Sequence, residues 1–243
     1  MRYLMNFSYD GSMFYGFEKQ KNLYTVQGVL EDILTSVNNG KRVVIHASGR
    51  TDKGVHAKCQ MAHFDMDVKV NLYGLKKLIN KKCENIYVKD IIHVDDNFHA
   101  RYLVKSKTYS YYINTLEYNV FLKNYVYQYN KELDIDLMKE ASLGLLGSHN
   151  FKSFCNSSKE RENFIRTITN IDISEEYGII KISITGDGFL RCMVRNIVAV
   201  LIEIGSKKKD VSYMEYVLNL EDRKAYIVKS AFAGGLYLED VEY

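Results

Sequence analysis

Proline and tryptophan are both absent from the 243-residue chain, and cysteine occurs only four times. The cysteines lie at positions 59, 83, 155 and 192, far apart and without a CxxC pair. This pattern argues against a disulfide framework and against a zinc site, and it is typical of proteins in a reducing compartment. We therefore expect a cytoplasmic protein that holds no metal.

Long apolar runs are also lacking. No stretch approaches the length that crosses a bilayer, and the opening residues, MRYLMNFSYDGS, have neither the apolar core nor the cleavage site of a secretory signal. We expect no membrane partner. Hydrophobic residues nevertheless make up 47% of the chain, which suffices for a buried core. Length and composition together predict a globular protein with one large domain or two modest domains.

The excess of positive charge is small, because the net charge is only +3. A nucleic-acid partner is therefore indicated by clustering of the cations and not by their total. The cations do cluster, around Asp52, at 105–107, around Arg191 and Arg195, and at 207–209. Twenty tyrosines are able to stack on bases, but most are expected to be half-buried strand residues. The cation clusters, and not the tyrosines, favour a nucleic-acid partner.

The segment 43–64 joins two apolar runs through a charged loop. The runs, 43–47 and 60–64, are predicted strands, and SGRTDKGVH lies between them. Glycine permits backbone conformations that are closed to other residues. We therefore expect Gly49 and Gly54 to hold the loop in a tight, protruding turn.

Asp52 is the one carboxylate between positions 41 and 58. The cations of this stretch are Lys41, Arg42, Arg50, Lys53 and Lys58. Because nearby positive charge favours the ionised form of a carboxylate, Asp52 is a candidate nucleophile. Spacing alone favours a plainer alternative, a β-turn aspartate that bonds its own backbone beside solvated lysines.

Hydrophobic periodicity predicts both helices and strands in each half of the chain. The predicted helices are 25–37, a helix that follows residue 71, 134–146, and a helix that ends at 205 and places Arg191 and Arg195 one turn apart. The predicted strands are 2–9, 43–47, 60–64, 86–94, 105–113, 167–173 and 179–185, the last two joined by a hairpin at 175–178. The pattern predicts an α+β fold with helices on one side of an antiparallel sheet.

The loop sequence GRTDKGVHA, 49–57, resembles GRTDAGVHA, the active-site signature of the TruA family of tRNA pseudouridine synthases. The resemblance continues through TVQGVLE, FHAR and FLRCMVRNIV, through KTYSY for the family's K/R-x-Y-x-Y, and through YDGSMFYGFEKQ for the family's YDGTxYxGWQxQ. GSHNFKSF and SAFAGGLYL are similar to the family's GxHDFxxF and APAxGLxL. Departures from the pattern include Phe17 for Trp, Glu18 for Gln, Asn150 for Asp and Phe232 for Pro. The resemblance thus covers nearly all of the chain.

The resemblance implies two pseudo-equivalent antiparallel-sheet subdomains that form a central basic cleft, in a homodimer. We expect an N-terminal α+β subdomain, 1–104, with the Asp52 loop. We expect a C-terminal α+β subdomain, 105–243, with a uridine-pocket tyrosine and an arginine helix.

The resemblance also implies isomerisation of uridine to pseudouridine in RNA, without a metal or a nucleotide cofactor. Asp52 would be the nucleophile, Arg195 would orient it and keep it ionised, and Tyr109 would stack on the uracil and is a candidate for the proton transfer. The substrate-binding candidates are Tyr109, Arg50, Arg101, Arg191 and His56. Without the resemblance, a position in the core is the commoner fate of a tyrosine such as Tyr109. Arg191 and Arg195 then read as a solvated basic edge, and Arg101 reads equally as a surface ion-pair residue.

Two other functions fit the sequence less well than pseudouridine synthesis does. A zinc-dependent RNA deaminase needs HxE and PCxxC motifs, and the chain has neither a CxxC pair nor a proline. A catalytically silent RNA-binding relative is expected to lose Asp52 or Arg195, and both are present. The resemblance implies uridines 38, 39 and 40 of the tRNA anticodon arm, while the departures at Glu18, Asn150 and Phe232 leave another RNA target open.

Overall fold

The computed structural model describes residues 1–156, 163–223 and 229–243. These residues form two compact units: unit 1 comprises Met1–Lys105 and Tyr237–Tyr243, and unit 2 comprises Ser106–Leu236. Each unit combines helices with mostly antiparallel strands, so the predicted α+β class is confirmed. A compact unit is not in itself an independently folding domain, and the domains 1–104 and 105–243 stay a prediction.

The strands of the described residues are numbered in chain order. They are β1 (Arg2–Tyr9), β2 (Ile45–Ala47), β3 (His56–Asp65), β4 (Ile86–Val94), β5 (Ser106–Asn114), β6 (Tyr127–Gln128), β7 (Gly147–Asn150), β8 (Ile165–Glu176), β9 (Ile179–Gly186) and β10 (Leu236–Glu242). The helices are α1 (Val26–Val37), α2 (Leu72–Lys82), α3 (Ile135–Leu143), α4 (Met193–Gly205) and α5 (Ser212–Asn219). Within the described ranges, no helix is both long and apolar enough to cross a membrane.

The sheet of unit 1 has the strand order β4-β1-β3-β10, and β2 also pairs with β3. β1 runs antiparallel to both of its neighbours, and β10 pairs parallel to β3 through Tyr237 and Leu238. β2 pairs with the far end of β3, where Ile45 faces Phe64. The loop that carries Asp52 therefore leaves the end of β2 and returns at the start of β3.

The helices of unit 1 begin where the sequence supplies a side-chain cap. The Thr25 hydroxyl accepts a hydrogen bond from the Gly28 N–H at 3.3 Å, and the Asn71 carboxamide oxygen accepts one from the Gly74 N–H at 2.8 Å. These bonds satisfy N–H groups that have no partner within the first turn of a helix. The predicted starts of α1 and α2 are confirmed.

Unit 2 contains the antiparallel order β5-β9-β8-β7, and β6 adds a short parallel pairing to β5. The hairpin between β8 and β9 turns at Tyr177 and Gly178, which have φ of 50° and 73°. Two successive positive φ angles match the right-handed twist of the strands that they join. The predicted hairpin is confirmed, whereas β7 and α5 were not predicted.

Two helix predictions in unit 2 need correction. α3 ends at Leu143, and not at 146, because the N–H groups of Leu145 and Leu146 bond to carbonyls three residues back in tight turns. α4 begins at Met193, because Cys192 has φ 61° in the left-handed region and breaks the helical path. Arg191 lies outside the helix, so the prediction that it stands one helical turn from Arg195 is wrong.

α4 is the most apolar helix of unit 2, and nearly all of its residues are buried. Arg195 and Glu203 are its two residues outside the buried set. A helix that is apolar on all sides belongs in a core. The backbone of Arg195 is therefore held on every side by buried neighbours, and the position of its Cα is well defined.

Candidate active site

Asp52 lies half-buried in the loop between β2 and β3. The Val55 N–H donates to the Asp52 carbonyl oxygen at 3.1 Å and closes a turn around Lys53 and Gly54. Gly54 has φ 81°, which a side chain would strain, while Gly49 is not among the residues with positive φ. The predicted tight turn is therefore confirmed, and of the two glycines only Gly54 supplies the special conformation.

The part of the loop that precedes Asp52 is held by hydrogen bonds to neighbouring strands. The hydroxyl groups of Tyr9 and Thr51 are 2.8 Å apart, and burial raises the pKa of Tyr9 to about 12, so its hydroxyl stays protonated. At the start of the loop, Ser48 donates to the Gln60 side chain at 2.8 Å, and the Gln60 carboxamide donates to the Gly49 carbonyl at 3.0 Å. These bonds fix the chain up to Asp52, and the turn closed by Val55 fixes it beyond.

A second segment, 10–17, packs directly against the Asp52 turn through two glycines. The Gly11 N–H donates to Nδ1 of His56 at 3.0 Å, and a Cβ added to Gly11 would lie 1.9 Å from the Val55 carbonyl oxygen. Gly16 has φ 94°, and a Cβ there would lie 3.2 Å from the Thr51 carbonyl oxygen. At Gly11 the two backbones approach more closely than any side chain would allow, and at Gly16 they leave only a tight fit for one.

His56 lies beneath the loop and is only 2% exposed. Its ring stacks on Tyr237, with centroids 4.6 Å apart and planes 18° apart, and Asp10 Oδ1 is 3.2 Å from its Nδ1. So little exposed surface gives a ligand almost nothing to touch. The placement favours a role for His56 in holding the Gly11 backbone, and not the direct substrate contact that we expected.

Three charged side chains surround the outer surface of the turn. Arg50 Nη1 lies 2.7 Å from Glu18 Oε1, and the two side chains are 50% and 58% exposed. Lys53 Nζ lies 3.9 Å above the centre of the Tyr15 ring, a cation–π contact. The neighbouring Phe17, which stands where the family pattern has Trp, is 2% exposed and belongs to the core.

Arg101 lies on the surface of unit 1, in the FHAR segment between β4 and β5. Its N–H donates to Nδ1 of His99 at 3.2 Å, and the His99 ring stacks at 4.1 Å on Tyr102. His99 also meets the edge of the buried His63 at 4.6 Å. Even with this histidine cluster, no group of three or more His, Cys, Asp or Glu in the described ranges is arranged to hold a metal ion.

Tyr109 lies on β5 in unit 2, where its backbone pairs with Ile184 of β9. The side chain is 8% exposed, and its ring meets Phe189 edge to face, with centroids 5.1 Å apart and planes 80° apart. Such an arrangement holds a phenol ring rigidly, as a stacking surface requires. Phe189 opens the FLRCMVRNIV segment, so two family elements meet here.

Arg195 is tied to the segment 230–232 by reciprocal hydrogen bonds. Its Nε donates to the Ala231 carbonyl at 2.8 Å, and the Ala231 N–H donates to the Arg195 carbonyl at 3.2 Å. The hydroxyl of Tyr111 donates to the next carbonyl, of Phe232, at 2.7 Å, and burial raises the pKa of Tyr111 well above its usual value. The bonds of Arg195 to Ala231, together with the bond of Tyr111 to the neighbouring carbonyl, fix the direction in which the Arg195 side chain extends from α4.

Asn196, the residue after Arg195, is 1% exposed and was not singled out from the sequence. Its carboxamide nitrogen donates to the Phe154 carbonyl at 2.7 Å and to the Asn156 side chain at 3.0 Å. Its oxygen accepts from the Ser230 hydroxyl at 2.6 Å. An amide within an otherwise apolar helix is the signal that identifies such a position, because a buried polar group needs partners.

The predicted cation cluster at 207–209 is largely neutralised within unit 2. Lys207 Nζ lies 3.0 Å from Asp134 Oδ2, and Lys208 Nζ lies 3.2 Å from Glu203 Oε1. Each of these lysines already has a carboxylate partner, so the run offers RNA less positive charge than the sequence indicates.

Comparison with known proteins agrees with these features. A family model described as tRNA pseudouridine synthase matches residues 5–103 and 141–243. A tRNA pseudouridine synthase A of Mycoplasmoides gallisepticum is 41% identical over 241 residues, which span 99% of this chain and 90% of that protein. Proteins of the same name from Listeria monocytogenes and a Geobacillus species are 40% and 37% identical, covering 100% and 97% of this chain, and 99% and 96% of their own. The chain belongs to the tRNA pseudouridine synthase family.

Proposed function

We propose that the protein isomerises uridine to pseudouridine in tRNA, at positions 38, 39 and 40 of the anticodon arm. The observation that carries the proposal is the loop around Asp52. Its backbone is fixed at Ser48, Thr51 and Val55 by buried contacts, while Arg50 and Lys53 extend outward beside the carboxylate. The family match and the names of the relatives supply the reaction and the class of substrate.

The reaction replaces the N1 glycosidic bond of uridine with a bond from C5 of the base to the same sugar carbon. The target base first leaves the helix stack, at a cost of a few kcal/mol. Asp52 then acts as the nucleophile that assists cleavage of the glycosidic bond. The detached uracil rotates and bonds through C5, and Asp52 is released. A base removes the C5 proton while N1 takes up a proton, so that the product is an isomer of uridine.

Two residues of unit 2 support this chemistry. Tyr109, held at its edge by Phe189, stacks on the uracil and is a candidate for the proton transfer. Arg195, directed by its bond to Ala231, orients the carboxylate of Asp52 and favours its ionised form. Both roles come from the family resemblance, and the rigid placement of each side chain within unit 2 supports them.

The remaining candidates bind the RNA or position the loop. Arg50 holds a phosphate or occupies the space of the flipped base, and the exposed Arg101 and Arg191 contribute further phosphate contacts. His56 acts from beneath the loop through Gly11. The protein works as a cytoplasmic homodimer, with neither a metal nor a nucleotide cofactor.

The test is Asp52→Asn, which keeps the shape of the side chain and removes its nucleophilic charge. We expect RNA binding to persist and tritium release from RNA labelled at C5 of uridine to stop. Asp32→Asn, at a 77% exposed carboxylate on α1, is the matched control and should retain activity. Normal tritium release by pure Asp52→Asn enzyme would refute the proposed nucleophile.

The choice of RNA needs a separate experiment. Pseudouridine mapping of total RNA from a deletion strain should show loss at tRNA positions 38, 39 and 40. Loss at other sites would identify a different RNA target, which the departures at Glu18, Asn150 and Phe232 leave open. An unchanged map, together with RNA binding by the pure protein, would favour a silent RNA-binding relative.

A further inference from the structure

Two charged residues around the Asp52 loop depart from the family pattern, and their charges are of opposite sign. Glu18 stands where YDGTxYxGWQxQ has Gln, and Lys53 stands where GRTDAGVHA has Ala. Each side chain contacts a residue of the other segment. Glu18, which precedes α1, accepts from Arg50 of the Asp52 loop at 2.7 Å, and Lys53 of that loop lies 3.9 Å above the ring of Tyr15. The departures add one negative and one positive charge at the same place, so the net charge there matches the family pattern.

The contact between Glu18 and Arg50 is open to water, since the side chains are 58% and 50% exposed. Exposed ion pairs are weak, and their contribution corresponds to at most about fivefold in an equilibrium constant. Glu18 meets Arg50 through the bond between Nη1 and Oε1, whereas a phosphate that replaces it is able to accept two parallel N–H bonds from the guanidinium. The carboxylate of Glu18 is therefore able to hold Arg50 in the RNA-free protein without preventing its transfer to RNA.

We propose that Glu18 competes with an RNA phosphate for Arg50. In the RNA-free protein the carboxylate binds the guanidinium, and RNA binding exchanges that carboxylate for a phosphate. A glutamine at position 18 still reaches Arg50, but it carries no charge and competes weakly. The inference rests on the proposed function to the extent that Arg50 contacts the RNA.

Lys53 limits the loss of affinity that this competition causes. Its ammonium lies on the same turn as Arg50 and adds one cation to the RNA-facing surface, while the Tyr15 ring holds its position. Reverting both departures together, with Glu18→Gln and Lys53→Ala, should therefore change RNA affinity less than either substitution does alone.

The first experiment is a double-mutant cycle on RNA affinity. The ligand is a tRNA transcript whose anticodon-arm uridines are replaced by cytidine, so that no reaction alters it during the titration. Filter binding at low salt should show that Glu18→Gln tightens binding by about two- to fivefold when Arg50 is present. The gain should disappear in the Arg50→Ala background, because the pair no longer exists there. It should also shrink as salt is raised, because exposed charges are screened.

The matched control is Asp67→Asn, which changes the net charge by the same amount. Asp67 belongs to a similarly exposed pair in unit 1, 3.4 Å from Lys41, with side chains 64% and 71% exposed. It should tighten RNA binding less than Glu18→Gln does. Equal effects of the two substitutions, or an undiminished gain from Glu18→Gln in the Arg50→Ala background, would overturn the proposal.

A parallel assay separates this inference from the proposed function. Single-turnover tritium release by the wild-type enzyme on an unmodified transcript tests the reaction alone. No release would refute the proposed function, whatever the binding cycle gives. Normal release without coupling between Glu18 and Arg50 would refute the competition alone. If the competition operates, the enzyme concentration that gives half the maximal rate should fall for Glu18→Gln.

Discussion

The substitution Gly11→Ala should damage catalysis without touching any charged or reacting group. Gly11 is buried, and a Cβ there would lie 1.9 Å from the Val55 carbonyl oxygen and 2.3 Å from its carbon. An ordinary contact between carbon and a carbonyl oxygen is about 3.3 Å, so the carbonyl must retreat by roughly 1.4 Å. The neighbouring His56 ring, which accepts from the Gly11 N–H, moves with it or loses that bond.

The displacement reaches Asp52 through one hydrogen bond, from the Val55 N–H to the Asp52 carbonyl at 3.1 Å. A misplacement of about 1 Å in a catalytic group costs on the order of 100-fold in rate. Overpacking of a buried site costs about 1–3 kcal/mol in the free energy of unfolding. We therefore expect Gly11→Ala to fold and to bind RNA, with a single-turnover rate of isomerisation about 100-fold below that of the wild type.

Two other glycines of unit 1 complete a graded series. Gly16→Ala brings a Cβ to 3.2 Å from the Thr51 carbonyl at φ 94°, a tighter contact than usual but no severe clash. Gly74→Ala, on α2, meets nothing closer than 3.6 Å and is the control. Tritium release at saturating enzyme, with urea unfolding measured in parallel, should rank the rates as Gly74→Ala above Gly16→Ala above Gly11→Ala. A folded Gly11→Ala enzyme with the wild-type rate would show that the Gly11 contact does not position Asp52.

Two further predictions concern buried polar groups. Asn196→Ala removes the partner of the buried Phe154 carbonyl and of two half-buried side chains, Asn156 and Ser230. It should lower the free energy of unfolding by about 2–3 kcal/mol and slow the reaction, while the exposed Asn219→Ala should do neither; equal urea midpoints for the two variants would contradict this. Burial, reinforced by neighbouring positive groups, lowers the pKa of His63 to about 4, so the folded protein keeps this ring neutral while the unfolded chain takes up a proton below about pH 6.5. The free energy of unfolding should therefore fall by up to about 3 kcal/mol as the pH drops from 6.5 to 4. Urea midpoints measured across that range should show a smaller fall for His63→Gln and an unchanged fall for the exposed His93→Gln.

Local signals in the sequence predicted most of the fold. α1 and α2 begin where Thr25 and Asn71 cap them, and β4 has the bounds that its apolar pattern predicts. The errors occur where tertiary structure decides. β7 is a short polar segment that becomes a strand only because it pairs with β8. The left-handed conformation of Cys192, which excludes Arg191 from α4, has no signal in a non-glycine residue.

The candidate site was predictable to the extent that it lies within single motifs. Asp52, Tyr109 and Arg195 were identified from family elements, and their roles stay predictions. Contacts between distant segments were not predictable, because periodicity reports only neighbours along the chain. Asn196 meets groups 34 to 42 residues away in sequence, and Arg50 meets a carboxylate 32 residues away.

The structure also explains how the Asp52 loop accommodates the added charges of Glu18 and Lys53 without a change of shape. The shape of the Asp52 turn is set by backbone contacts, namely the close approach of Gly11 and Gly16 and the bond between Val55 and Asp52. Glu18 and Lys53 act on the outer surface through their exposed side chains, and neither side chain takes part in those backbone contacts. Substitutions at these two positions should consequently alter the electrostatics that RNA meets while the position of the carboxylate is preserved. Substitutions at the glycines should do the reverse.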